Sequence, residues 1–231
     1  PSIYAAAASG YFAQGAVLSL AASGVVNYLS FGSENADEVG LSSCAEILSS
    51  EPEEYRELLR SLLAQGLSYP KAQGVALKKL YQIDLLAQNN PNDLLGLNYL
   101  TIIKRHALPL APIIVPRLGK HNGENISGFA SSQNIRAMLA QNLPIDDDVP
   151  NFSRQILNEA HLLFNSQLSS AQLSLLRRAS VGELEDLPDI NEDLANRLKK
   201  ACGEYRTLAE VLTAVKNKSC TYSRLSRAVC H

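Results

Sequence analysis

From Tyr11 to Ser23 the apolar positions Phe12, Ala16 and Leu20, with Val17 and Ala21 beside them, recur at four-residue spacing. That is the repeat of one helix face, and Gly24 stands where a helix stop belongs. Val25 to Phe31 is then a short apolar run that ends at Gly32-Ser33-Glu34, which predicts a buried strand. Ser43-x-x-Glu46 and Ser50-x-x-Glu53 match the capping box and predict the starts of two successive helices, the second with Pro52 near its first turn. Ser68-Tyr69-Pro70-Lys71 interrupts the helical pattern before another short helix. Asn90-Pro91 opens one that places Leu95, Tyr99 and Ile102/Ile103 on a common face. Leu110 to Leu118 predicts a second strand, which Pro112 and Pro116 push to an edge or restrict to pairing in its middle. Ser131-Ser132 start a helix that reaches about Gln141.

The pattern changes once more at Asn142 to Pro150, a polar stretch containing Asp146-Asp147-Asp148, which reads as a linker. It separates an α/β domain, residues 1–142, from a domain, residues 143–231, in which every segment is helical. Those segments are Phe152 to Asn165, Ser169 to Ala179, Glu192 to Cys202, Thr207 to Lys216 with a Thr207-x-x-Glu210 box, and Thr221 to His231. Strands followed by helices predict a doubly wound α/β sheet, which binds ligands at the carboxyl ends of its strands. Two legible strands are too few for a complete sheet. The chain also opens on Pro1 and runs directly into a helical pattern, and its last helix carries no stop signal. The expectation is a chain that begins and ends inside structural elements, with a strand before it and helix after it.

Composition narrows the function. With 231 residues, 46% hydrophobic and 19% charged, the chain has room for two globular domains. A net charge of -2 excludes a general polycation, so a nucleic-acid partner has to be met by a local patch. Cys44, Cys202, Cys220 and Cys230 have no CxxC spacing, which argues against a zinc site and for reduced thiols in a cytosol. No apolar run is long enough to span a membrane, and the alanine-rich start lacks the basic flank of an export signal, so a cytoplasmic protein is expected.

Candidate ligand groups fall at strand ends and helix starts. Gly32 follows a buried strand, where a missing side chain admits a nucleotide, or serves a plain turn. Asn92 lies at the mouth of a helix whose cap Asn90 and Pro91 already explain, which leaves it for a ligand or for solvent. Arg117 ends the second strand, and Arg136 stands one turn into the helix begun by Ser131 and Ser132. Hydroxyls, free N–H groups and an arginine suit a phosphate, and equally a cap with a surface ion pair. His106, His121, His161 and His231 are scattered outside any nucleophile or metal-ligand spacing, and the Asp146 to Asp148 run reads as solvated charge. Glu185 to Ala201 has the outline of a helix-hairpin-helix, but Asp189 and Asn191 occupy its glycine positions and the motif is rejected. Near the end Lys216, Lys218, Arg224 and Arg227, with Tyr222 among them and no acid, form either an RNA-tracking patch with one stacking ring or a solvated basic helix end.

In order, Tyr11-Phe-Ala-Gln-Gly-Ala16, Phe31-Gly-Ser-Glu34, Ser68-Tyr-Pro-Lys-Ala72, Pro91-Asn-Asp-Leu-Leu-Gly96 with Tyr99, and Pro116-Arg-Leu-Gly119 form a series. With Ser131-Ser132-x-x-Ile135-Arg136 and Thr221-Tyr-Ser-Arg-Leu-Ser-Arg227, it resembles the bacterial tRNA(Met) cytidine acetate ligases, a branch of the HIGH-type nucleotidyltransferase-like proteins. The resemblance implies that residues 1–142 are the rear part of a Rossmann-like ATP-binding domain and that residues 143–231 are a helical, tRNA-contacting one. It implies activation of acetate by ATP, with Mg, as acetyl-adenylate, and transfer of the acetyl group to the wobble cytidine of elongator tRNA(Met), without DNA or membrane. ATP contacts carry over onto Gly32, Asn92 and Arg117. Arg136 matches the basic residue of a late serine-rich phosphate motif, in which Gln133 departs from the usual hydroxyl residue. The family's catalytic His-Asn-Gly-His does not occur: His121-Asn122-Gly123 is followed by Glu124. Such paired imidazoles stabilise charge on the α-phosphate and the departing pyrophosphate. The expectation is that they precede Pro1 and that this chain alone is inactive. An adenylyltransferase acting on a small molecule and a non-catalytic tRNA-binding module stay open as alternatives.

Overall fold

The structure is a computed structural model that describes residues 2–84, 90–117, 130–145, 148–217 and 220–231. It divides into one unit of Ser9–Asn151 and another that joins Pro1–Ala8 to Phe152–His231. The division falls at the far end of the polar 142–150 stretch. A four-residue helix α1, Ser2–Ala5, opens the chain.

In the first unit, α2 (Ser9–Ala22) precedes β1 (Tyr28–Ser33), and Gly24 between them has φ +70°, where a side chain would be strained. Helices α3 (Glu38–Ser50), α4 (Glu53–Ala64), α5 (Tyr69–Tyr81) and α6 (Pro91–Arg105) follow. Strand β2 (Ala111–Pro116) and helix α7 (Ser132–Ala140) complete it. Among the described residues the sheet is β1 and β2, parallel, from Tyr28 opposite Ala111 to Ser33 opposite Pro116. That pairing moves the predicted strand: Val25 is 80% exposed and outside it, while Gly32 and Ser33, read as its stop, are its last two residues.

The prolines of β2 do not interrupt the ladder. Ala111 donates its N–H to the Asn27 carbonyl and Arg117 donates to the Ser33 carbonyl, at 2.8 and 2.9 Å. Odd-numbered residues therefore face β1, and the missing N–H groups of Pro112 and Pro116 fall on the opposite edge.

Two of the predicted helix starts are wrong. Ser43 lies inside α3, whose N-cap is Asp37, accepting from the Gly40 N–H at 2.9 Å. Ser50 ends α3 and donates its hydroxyl back to the Glu46 carbonyl, while α4 starts after Pro52 with no side-chain cap. Burial explains the first: Leu41, Cys44, Ala45 and Leu48 recur at helical spacing and carry one helix through Ser43. Asn90-Pro91 and Ser131-Ser132 do open helices where expected.

Helix α6 organises this unit, packing on α3, α2 and β1. Gly96 permits the closest approach, since a Cβ there would lie 2.4 Å from the Phe31 ring. Phe31 in turn meets Tyr99 at 5.7 Å between ring centroids, with the planes tilted by 58°.

The other unit contains α8 (Asn151–Glu159, whose first residue belongs to the first unit), α9 (Asn165–Arg178) and α10 (Val181–Glu185). Helices α11 (Glu192–Glu204), α12 (Leu208–Val215) and α13 (Tyr222–Ala228) follow. The predicted helix from Phe152 to Asn165 thus ends at Glu159, residues 160–164 are not helical, and α10 is an element that the sequence pattern did not separate. Leu184, Leu194, Leu198, Val211, Leu212 and Leu225 lie at its core. Ser180 with Glu183 and Thr207 with Glu210 form complete capping boxes. At the other ends, Lys199 of α11 donates to the Leu176, Arg177 and Ala179 carbonyls that finish α9. Arg177 of α9 donates to the Cys202 and Tyr205 carbonyls that finish α11. Each helix thus carries the cation that satisfies the other's last carbonyls. No helix of the described residues is long and apolar enough to cross a membrane.

Candidate nucleotide-binding site

The carboxyl end of β1 and the amino end of α6 meet at a cavity of about 350 Å³. Gly32 and Asn92 line it together, with Leu20, Phe31, Gly96 and Tyr99 supplying apolar surface. Arg117 joins the group at Gly32. A Cβ there would lie 3.1 Å from Arg117 Cγ and 3.4 Å from Cδ, so the arginine stem crosses the space that the glycine leaves open. The bare backbone expected to admit a nucleotide thus first accommodates a cation from the next strand.

Asn92 is not left over from the cap, as the sequence reading held. Its side-chain Nδ2 donates to Glu34 Oε1, and its backbone N–H donates to Glu34 Oε2 at 3.1 Å. Glu34 Oε2 also accepts the Asp93 N–H at 3.0 Å. The carboxylate that follows β1 thereby caps α6 from outside the helix, where unsatisfied N–H groups and the dipole favour negative charge.

Asp93 is the second carboxylate of this junction and is 2% exposed. Its Oδ1 accepts the Ser33 hydroxyl and the Glu34 N–H, the latter at 2.8 Å. Its Oδ2 accepts the Asn35 and Asn90 side-chain amides at 2.8 and 3.1 Å. A buried carboxylate with this many donors is satisfied, and it fixes the turn after β1 against α6. Sequence reasoning assigned no role to Ser33, Glu34 or Asp93. The available signal was a hydroxyl, an acid and an amide directly after a strand, matched by an acid in the first turn of a later helix.

The other candidates lie elsewhere. Ser131 caps α7, its Oγ accepting the Asn134 N–H at 3.2 Å, while Ser132 and Arg136 are exposed, and none of the three lines the cavity. In the helical unit Lys216 and Tyr222 are exposed, Arg227 is half-buried, and Lys218 lies outside the described residues. Arg224 is not a solvated cation. Its Nη2 donates to the Asp189 carbonyl at 3.0 Å, and its Nε lies 3.5 Å from Asp189 Oδ1. Asp189 holds φ +68°, the left-handed conformation of a hairpin glycine. Tyr222 also edges a cavity of about 370 Å³ with Leu168, Gln172, Leu212 and Val229.

His121, Asp146 and Asp147 are outside the described residues. All four thiols are free, Cys230 exposed and the rest buried, and burial pushes Cys44 up to about 12. Among the described residues no group of three or more His, Cys, Asp or Glu could hold a metal ion.

A parallel strand end and a helix start converging on one cavity, with an arginine at the strand, place the first unit among nucleotide-site α/β architectures. The family model HIGH Nucleotidyl Transferase matches residues 1–231, and the chain belongs to that family. Within it, the chain is similar to proteins named tRNA(Met) cytidine acetate ligase. It is 32% identical to that of Syntrophomonas wolfei, over 99% of this chain and 58% of that protein. It is also 32% identical to that of Acetivibrio thermocellus, over 98% and 59%. Crystal structures of Thermotoga maritima TmcAL match the whole chain, the apo form with TM-score 0.89 and 26% identity. The form bound with alpha-thio ATP matches with TM-score 0.84 and 27% identity. The chain spans somewhat under three fifths of those solved chains, 58% and 57%.

Proposed function

We propose that this chain forms part of the ATP site of an enzyme that activates acetate and acetylates the wobble cytidine of elongator tRNA(Met). Acetate oxygen attacks the α-phosphorus of ATP, taken as its Mg complex, and pyrophosphate leaves. The cytidine amine then attacks the acetyl carbonyl of the adenylate, and AMP leaves with the proton passing to solvent. The observation that carries this reading is the shared cavity of Gly32 and Asn92, with Arg117 lying across the glycine. The Phe31, Gly96 and Tyr99 wall suits a base, and Arg117 is the cation for phosphate. Because Glu34 already occupies the α6 start, that end receives the uncharged nucleoside end of the ligand. The relatives' names and the alpha-thio ATP complex of the Thermotoga maritima protein support the same assignment. Ser131, Ser132 and Arg136 are assigned to phosphate, and Lys216, Lys218, Tyr222, Arg224 and Arg227 to the tRNA surface.

The test supplies the complete protein with labelled acetate, ATP and a tRNA(Met) transcript. Acetylcytidine at the wobble position is expected, and Arg117→Ala should raise the ATP KM on the order of tenfold. Absence of acetylcytidine overturns the reading, and AMP transfer to a small acceptor supports an adenylyltransferase in its place.

A further inference from the structure

We infer that Glu34 is a positioning residue that sets nucleotide specificity by fixing which end of the Asn92 amide faces the cavity. The inference rests on the ATP-site reading. A side-chain amide can present a donor or an acceptor, and rotation of the group exchanges them. Here the choice is made by its neighbour. A carboxylate accepts and does not donate, so only the NH2 end of Asn92 can face Glu34, as the bond from Nδ2 to Oε1 shows. Two further backbone donors, from Asn92 and Asp93, hold the same carboxylate in place. Glu34 is itself anchored in the chain by its N–H, which donates to the buried Asp93 at 2.8 Å. The amide oxygen is thereby turned away from Glu34 and becomes the group that Asn92, a lining residue, offers to a ligand.

An oxygen in that position takes a hydrogen-bond donor from the nucleoside. The donor that this orientation selects is the exocyclic amine of adenine, since a ribose hydroxyl accepts as well as donates and is satisfied by either end of the amide. A ligand that presents an acceptor there leaves two buried lone pairs opposed, and a ligand without the group leaves the amide oxygen unpaired. Either loss discriminates strongly. Glu34 touches no reacting atom in this account and acts through Asn92.

The experiment measures kcat and KM of the complete protein for ATP, inosine triphosphate, 2′-deoxyATP and 3′-deoxyATP. Inosine triphosphate replaces the exocyclic amine by an acceptor oxygen and reports the amide's orientation, while the deoxy analogues each remove one hydroxyl and serve as controls that its orientation does not affect. Wild-type protein should disfavour the analogue that lacks the recognised donor by about tenfold or more in kcat/KM. In Glu34→Gln the neighbour can donate as well as accept, and the Asn92 amide can turn over. The discrimination should fall to about threefold or less, with ATP KM raised about tenfold and kcat within about twofold of wild type. The reversed pair E34Q/N92D, in which Gln donates and Asp again turns an oxygen to the cavity, should restore the discrimination. A merely structural role predicts no such rescue.

Wild-type discrimination retained in E34Q overturns the inference, whatever happens to kcat or thermal stability. So does a wild-type protein that uses ATP and inosine triphosphate equally. A wild-type protein with no saturable ATP use overturns instead the reading on which the inference rests.

Discussion

The helix start beside the cavity and those of the helical unit are satisfied over different distances. In the helical unit Ser180 meets Glu183 and Thr207 meets Glu210, each pair three residues apart. In the α/β unit Ser33 reaches Asp93 across 60 residues and Asn92 reaches Glu34 across 58. A box spanning four residues satisfies one helix start and can form as soon as that turn does. The Ser33, Glu34 and Asp93 junction exists only when β1 and α6 have already been brought together, and it ties a strand end to a helix start. Stability at the helix starts is local in the first case, beside longer bonds such as that from Arg224 to the Asp189 carbonyl. In the second it is concentrated at the junction that also shapes the cavity.

Asp93→Ala should test this contrast most severely. It leaves the Ser33 hydroxyl and the Glu34 N–H without their buried acceptor and should cost about 3 kcal/mol. Hydrogen exchange resolved along the chain should show the loss in peptides from β1 and α6, with α11 unchanged; equal loss in both units would break the contrast. Gly96→Ala should follow, at about 1–3 kcal/mol, because its Cβ would press into the Phe31 ring. It should also weaken ATP binding in titration calorimetry, since Phe31, Gly96 and Tyr99 share the cavity wall.

Extremes of pH should load the two units unequally, although burial raises Cys202 of the helical unit as well. Burial raises Cys44 from 9.0 to about 12 and Tyr55 from 10.0 to about 12. Their contribution to the α/β unit is therefore complete below about pH 9 and is lost as pH rises towards 12. Cys44→Ala should flatten that alkaline loss in denaturant titrations. Glu183 and Glu210 are lowered, first by the Ser180 backbone bond and the Thr207 side-chain bond respectively. Their contribution is present above the ordinary carboxylate range and disappears as pH falls through their lowered values. Thr207→Ala should give the smallest change, about 1 kcal/mol, confined to the helical unit and visible as faster exchange at the start of α12.

The same difference in range explains what could be read in advance. Thr207-x-x-Glu210, Thr221 as a cap, Ser131 and Asn90-Pro91 are local signals, and helices start at all of them. Ser43-x-x-Glu46 has the same spelling but lies within a run of buried residues at helical spacing, so packing along α3 overrides it. Gly32, Asn92 and Arg117 could be picked out individually because strand ends and helix starts attract ligands. That Arg117 lies over Gly32, or that Asn92 is held by Glu34, depends on the β1 and β2 register and on where α6 crosses them. Neither is written in any window of the sequence. In the basic patch, Arg224 looked available because its partner, Asp189, belongs to a loop 35 residues earlier.

The placement of the two prolines in β2 also determines how the sheet can grow. On its outer edge, Pro112 and Pro116 remove the donors on either side of Ile114, leaving a broken template for a new strand. Among the described residues that edge is thereby blunted by the backbone itself, without charged gatekeepers.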